Sequence, residues 1–474
     1  MDRRRFLAHS AMAATRLAAF PLVGAKGVAA DVDVTIRLHP DRKLRRIAPD
    51  FIGLGYEISS VAVPRLLSAD NKNYVQLVRN FGHGIIRVGG NTSDYSTFDP
   101  NGAARSVPKG TVINTTNLRQ LGTFLEATGW NLIWGVNLGQ GSLQEAVNEA
   151  KAVAHAAGDK LLALEIGNEP DLFKPAHRTG EWNYASYLAS YRQYKAAIRA
   201  RLPNARFAGP DVASATDWVA SFAKDEGSDL ALLTHHYYIG DSALSSSTIA
   251  LMLEDDSKLL SILQKLKMIS ANSGLPYRMC ETNSFYGGGK LGVSDTFGSA
   301  LWALDYLFTL ASEGCAGVNM ETGVNHLGFI SYYTPIDDDG QGRYIAAPEY
   351  YGMLAFSQAA QGQQIALDIS SRDVNLTAYA TARSEHEMVL TVINKDASRN
   401  ASVQVICGDA LKHAAATRLT APSQQATKNV TLGGVTVDEV GHWKAADTDA
   451  AKIVLGQGMF EIPTMSAALI ALQI

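Results

Sequence analysis

The sequence predicts an α/β protein: a (β/α)8 TIM barrel followed by an antiparallel β-sandwich that also takes a strand from the N-terminal end. Two observations carry this prediction. Short apolar segments rich in β-branched or aromatic residues alternate with helical stretches up to about residue 350. Beyond it the texture changes to short alternating runs separated by turn residues.

The strand segments are FIGLGYEI (51–58), HGIIRVGG (83–90), NLIWGVNLG (131–139), LLALEIGNE (161–169), RFAGPD (206–211), LALLTHHYY (230–238), LPYRMCETN (275–283) and GVNMETG (317–323). Helical spacing occupies 63–79, 143–157, 182–202, 249–273 and 296–312. Eight strands in about 300 residues match a barrel better than an open sheet. The first strand–helix junction lacks GxGxxG, which disfavours a dinucleotide-binding fold. The later runs are 376–383, 386–394, 401–407, 416–422, 429–437 and 458–474, and VDVTIRL (32–38) alternates in the same way. The predicted domains are therefore 31–48, an N-terminal strand joining the sandwich; 49–348, the barrel; and 349–474, the sandwich.

The first thirty residues differ from the rest. A basic start, RRRFL, precedes an Ala-rich apolar stretch and Val28-Ala29-Ala30, the layout of an export signal cleaved near Ala30, with Arg3-Arg4 resembling the twin-arginine type. The protein is expected to be periplasmic or secreted. No later segment has the roughly 20 apolar residues of a membrane span. A net charge of −4 and a pI near 6.3 give no general attraction to nucleic acid. Cys280, Cys315 and Cys407 stand too far apart for a metal motif or a disulfide framework and read as buried hydrophobes.

In such barrels the site forms where the strands end. Those ends carry Tyr56-Glu57, Arg87 to Asn91, Asn168-Glu169-Pro170, His235 to Tyr238, Glu281-Thr282-Asn283 and Glu321. Within LEIGNEPD, Glu169 lies at the strand end, and Pro170 is expected to keep it extended. Glu165 lies about 13 Å lower at 3.3 Å per residue and reads as a buried structural carboxylate. Asp171 is expected to start the loop or cap a helix. Paired carboxylates across a barrel mouth suit glycoside hydrolysis, one protonating the leaving oxygen and the other attacking carbon or activating water. His235 and His236 are neighbours on a strand, so one lines the barrel and the other packs away, which makes them a poor metal pair. Asp337-Asp338-Asp339-Gly340 reads as a turn because it lacks spaced ligands and a closing Glu. Trp130 and Trp134 read as core, and Arg87 as an interior partner for a carboxylate.

Asn168-Glu169-Pro170 with a lone Glu281 on strand seven resembles clan A glycoside hydrolases. THHYY (234–238) and CETNSFYGGGKLGVSDTFGSALWALDYL (280–307), with YEIS (56–59) and RVGGNTSDY (87–95), resemble glycoside hydrolase family 79, which holds heparanases and bacterial β-glucuronidases. The resemblance implies a retaining reaction with Glu169 as acid/base and Glu281 as nucleophile, and no cofactor. It implies that Asn168 bonds the sugar 2-OH, Tyr237 orients the nucleophile and Glu57 accepts from sugar hydroxyls. It places the glucuronate carboxylate against Tyr286, Gly287, Gly288 and Tyr333, with Tyr332 beside it. The implied substrate is a glucuronate-containing glycan, cleaved in exo fashion. Alternatives are endo cleavage as in heparanase, another sugar specificity within the clan, or an inactive glycan-binding barrel. An endo enzyme on a sulfated chain needs basic cleft residues, and the loops offer only Arg105, Lys109, Lys174, Arg178 and Lys290.

Overall fold

A computed structural model describes residues 32–474 apart from 324–330, 340, 372, 408–410, 447, 451–452 and 455–456. The expected export segment, 1–30, lies outside the described residues, as does the start of the loop after strand eight.

Eight parallel strands close into a barrel: Gly53–Glu57, Ile85–Gly89, Asn131–Val136, Leu161–Ile166, Phe207–Val212, Leu230–Asp241, Tyr277–Tyr286 and Val318–Thr322. They are called barrel strands one to eight below. Each overlaps a segment read from the sequence. A dry layer of Ile85, Ile133, Ala163, Ala208, Leu232 and Cys280 fills the barrel interior. Polar side chains above this layer are therefore confined to the mouth.

The helices differ more from expectation. Leu143–Ala157 forms as read, closed by a capping box between Ser142 and Glu145. The stretch at 63–79 narrows to Lys72–Arg79, because Pro64 and a left-handed Arg65 (φ 64°) stop the earlier part from coiling. The stretch at 249–273 splits into Ile249–Leu253 and Ser257–Ser273, with Asp256 capping the second helix through Leu259 N–H. Thr115–Thr128 and Thr216–Glu226 were not legible as helices. Among the described residues no helix is long and apolar enough to cross a membrane.

The second domain is one eleven-stranded, mainly antiparallel sheet that curls around its own core, rather than two separate sheets. Val34–Arg46 joins it in the middle, antiparallel to Gln363–Ser371 and parallel to Ala401–Ile406. Its alternate residues Val34, Ile36 and Leu38 face the sheet core. The sheet begins at Gln363 and not at 349, because Pro348–Ala359 is a helix whose buried face belongs to the barrel core. Asp305, on helix Phe297–Ser312, clasps the sheet to the barrel. Its Oδ1 accepts from Thr377 and Tyr379, both at 2.7 Å, and its Oδ2 from Lys395 at 2.8 Å.

Helix Pro348–Ala359 lies so close to helix Phe297–Ser312 that a methyl on Gly352 would overlap the Ala300 carbonyl. Gly352→Ala is expected to cost about 1–3 kcal/mol, as overpacking does. A thermal unfolding scan should show the midpoint falling by several degrees.

Candidate active site

Arg87 rises from barrel strand two into the mouth and is fully buried. Its Nε donates to Glu165 Oε2 at 3.2 Å, Nη1 to Glu281 Oε2 at 2.8 Å, and Nη2 to Asn168 Oδ1 at 2.7 Å and Asp211 Oδ2 at 2.6 Å. One guanidinium thus fixes groups from four other positions around the rim. Gly89 leaves room for it, since a Cβ there would sit 2.6 Å from the guanidinium carbon.

Glu281 faces the mouth because strand seven bulges. Met279 pairs with His235 and Glu281 with His236, so one extra residue sits between them. The bulge lets both Cys280 and Glu281 point inward, where regular alternation would allow only one. Glu281 Oε1 accepts from Tyr238 at 3.0 Å. Tyr238, not Tyr237, therefore holds the predicted nucleophile. His236 and Tyr238 share the inner face of strand six, whereas Tyr237 points outward, stacks near Tyr306 and hydrogen-bonds Asp256.

Glu169 is not extended. It adopts φ 48° and ψ 51°, beyond the end of strand four at Ile166. Pro170 disfavours the right-handed helical region, and two backbone bonds hold the left-handed turn: Glu169 N–H to Asp211 O at 2.9 Å and Leu172 N–H to Glu169 O at 2.8 Å. The turn aims the carboxylate at His236 Nδ1, 3.0 Å away, while His236 Nε2 contacts Asp211 Oδ1 at 2.8 Å. Carboxylate oxygens of Glu169 and Glu281 approach within 4.8 Å of each other.

The protonation pattern follows from these contacts. Burial alone would depress His236, but the charges of Asp211 and Glu281 and its hydrogen bonds raise it well above the ordinary histidine value, so it is an imidazolium. Asp211, opposed by burial but facing Arg87 and His236, falls well below the usual carboxylate range. Glu169 is raised by burial and by the charge on Glu281, against the pull of His236. Burial and then the Asp211 charge push Glu165 up to about 7.

Glu57 is also raised to about 7, chiefly by burial and Glu281. Its oxygens already accept from Asn91 N–H, Thr92 N–H and the Thr92 hydroxyl. These bonds tie it to the loop after strand two, so it is less free to receive sugar hydroxyls than the sequence suggested. Asn168 Nδ2 is buried and unpartnered among the described residues. Tyr333 is buried and stacks on Tyr238 with centroids 6.1 Å apart. Tyr286 is half exposed and meets the Tyr238 edge at 6.3 Å. Gly287 and Gly288 follow with φ 82° and 88°, and Gly288 O accepts from Tyr332 N–H, which joins the loops after strands seven and eight.

Two donor sets come close enough to hold a metal: Glu169, His236 and Glu281, and Glu165, Asp211 and Cys280. Their chemistry suits it poorly. His236 is charged with both nitrogens committed, and burial keeps the Cys280 thiol protonated. Asp171 caps the loop after strand five, accepting from Ala213, Ser214 and Ala215 N–H. Trp130 and Trp134 are buried core, their indole N–H groups on Gly82 O and Glu149. Sequence reading missed Asp211, His236 as a charged bridge, and Tyr238. Asp211 does close its strand segment as Glu169 closes its own, a signal that was available.

Removing Arg87 strands buried carboxylates without a counter-charge. Arg87→Met is expected to cost about 3–5 kcal/mol of stability, read as a large fall in the denaturant midpoint.

No family model matches the chain. A β-glucuronidase of Aspergillus niger is 30% identical over 393 residues, covering 73% of this chain and 69% of that protein. Mouse heparanase is 24% identical over 351 residues, covering 59% of this chain and 63% of that protein. Among solved structures, a 4-O-α-L-rhamnosyl-β-D-glucuronidase of Fusarium oxysporum superposes with TM-score 0.74 at 18% identity, covering 93% of this chain and all of that one. An α-L-arabinofuranosidase of Thermotoga maritima gives 0.69 at 15%, covering 93% and 100%. The last two share the fold. The first, at its identity over most of both chains, carries the assignment: this chain belongs to glycoside hydrolase family 79, with the β-glucuronidases and heparanases.

Proposed function

We propose that the protein is a retaining, exo-acting β-glucuronidase, exported as its basic and apolar opening suggests. The observation that supports retention is that a carboxylate oxygen of Glu169 lies within 4.8 Å of one of Glu281, which brings the two groups near the retaining spacing. Retaining pairs stand about 5–5.5 Å apart, and inverting pairs need room for a water at about 6.5–9.5 Å.

Glu281, bonded by Arg87 and Tyr238, attacks the anomeric carbon. Glu169, kept protonated by burial and by the Glu281 charge, gives its proton to the leaving oxygen. Once Glu281 is esterified its charge is gone. The Glu169 proton is then held less tightly, and the same group serves as base for the incoming water. Asn168 Nδ2 is the free donor for the sugar 2-OH. Tyr286, Gly287, Gly288 and Tyr333 receive the carboxylate of the ring.

Exo action on weakly charged glycans fits the basic residues of the loops. Arg105 donates to Gly110 O, Arg178 to the Gly139, Leu138 and His177 carbonyls, and Lys290 to Leu244 O. Three of the five loop cations are thus committed to the protein's own backbone and Lys109 lies over the Tyr95 ring, which leaves few charges for a sulfated polymer.

The first test compares p-nitrophenyl β-glucuronide, β-glucoside and β-xyloside on the mature chain. A strong glucuronide preference is expected, and preference for a neutral sugar would sink the uronate assignment. Glu281→Ala should abolish turnover of every glycoside. Glu169→Ala should cost about 10²–10⁴-fold on alkyl glucuronides and least on the p-nitrophenyl substrate. On the β-glucoside, which carries no carboxylate, the alkaline fall of kcat/KM that reflects loss of the Glu169 proton should vanish with it. Tyr238→Phe should lower kcat by roughly 10- to 100-fold, the weight of a hydrogen bond to a charged group. Tyr237→Phe should leave kcat within about threefold, and a larger loss there than at Tyr238 would make Tyr237 the partner of the nucleophile.

A further inference from the structure

A further carboxyl stands on the wall of the mouth and takes no part in the reaction. Glu321 lies on strand eight, paired with Gly55 of strand one, and only 4% of it is exposed. Its side chain points inward across strand one, where a Cβ on Gly55 would collide with Glu321 Oε2. Oε2 is buried and has no partner among the described residues. Asn283 Nδ2 donates to both Glu321 O at 3.2 Å and Tyr333 O at 2.9 Å. That bridge sets Glu321 beside the tyrosine assigned to the uronate carboxylate.

We propose that Glu321 is a specificity-determining residue, its carboxylic acid donating a hydrogen bond to the carboxylate of the bound uronate beside Tyr333. The proposal rests on the glucuronidase reading given above. Oε2 lies against Gly55 with no hydrogen-bond partner among the described residues, so the carboxyl is far cheaper neutral than charged and keeps its proton. A carboxylate ligand can meet it only if Glu321 carries the proton.

The surroundings keep that proton in place. Burial raises Glu321 well above the ordinary carboxyl range, and the charges of Glu281 on strand seven and Glu57 on strand one raise it further. Arg87 on strand two and His236 on strand six pull the other way without prevailing. Burial raises the phenols of Tyr56, Tyr238 and Tyr333 nearby, and all three stay neutral. The sign is fixed: the uronate contact exists while Glu321 is protonated and is lost as pH rises through its raised value.

The test is the ratio of kcat/KM for p-nitrophenyl β-glucuronide over β-glucoside, followed from pH 5 to pH 9. Effects of Glu169 and Glu281 act on both substrates and divide out. The wild-type ratio should fall with rising pH. In Glu321→Gln, which keeps a donor but cannot titrate, the ratio should become flat and stay within about threefold of the wild-type value at pH 5. In Glu321→Leu it should fall about 10- to 100-fold at pH 5. Equal losses on both glycosides, with the pH dependence of the ratio unchanged in Glu321→Gln, would overturn the proposal while leaving the glucuronidase reading intact. A wild-type enzyme preferring the glucoside would end both. If Glu321→Leu does not fold, the slope of the ratio in Glu321→Gln decides alone.

Discussion

The barrel mouth holds more carboxyls than positive charges in a space that water barely enters, and the rest of the site follows from that imbalance. Arg87 and His236 are the cations of the cluster. Between them they contact Glu165, Asp211, Glu281 and Glu169. Bringing an unpaired carboxylate into such a place costs several kcal/mol. The charges therefore settle where the cations are best placed. Asp211, gripped by both, is driven down, while Glu57, Glu165, Glu169 and Glu321 are driven up. An acid beside a charged nucleophile is thus a product of the whole cluster rather than of Glu169 alone.

Placing that cluster required departures from regular backbone. Glu169 and Asp211 both sit at positive φ, 48° and 60°, which side-chain-bearing residues adopt at a cost of about 1–3 kcal/mol each. The bulge at Cys280–Glu281 serves the dry layer and the mouth from adjacent residues. These features persist because their side chains lock one another. Glu169 N–H bonds Asp211 O, both side chains meet His236, and Arg87 ties Asp211 to Glu281. No one of them can relax without breaking a contact of its neighbours.

This also explains which parts were legible in the sequence. Strand segments show as apolar runs and the second domain as alternation, so barrel and sheet could be read directly. The rim carboxylates could be read because strand ends are where such barrels work. Tyr238 could not be told from Tyr237, since which of two adjacent residues faces inward depends on register, and register is set by partners distant in sequence. The extended form expected for Glu169 ignored the left-handed alternative open to a residue before proline. Asp211 was passed over because its segment, RFAGPD, is broken by Gly and Pro and shows no alternation of apolar and polar residues. The helix at 348–359 is apolar nearly all round, so it lacks the one-sided pattern that marks a surface helix.

An anionic sugar adds a further negative charge to a pocket already short of cations. A free arginine on the uronate side would be the direct remedy, and it would carry a cost. A guanidinium near Glu57 and Glu321 would favour their ionised forms, and its field would reach Glu169 and lower the acid that must protonate the leaving group. Neutral donors avoid the conflict. Tyr286, Tyr333, the Gly287-Gly288 backbone and a protonated Glu321 carry no fixed charge, yet can direct hydrogen bonds at a carboxylate. Recognition of the anion and acidity of Glu169 are then compatible, and the same burial that keeps Glu169 protonated keeps Tyr333 and Glu321 neutral.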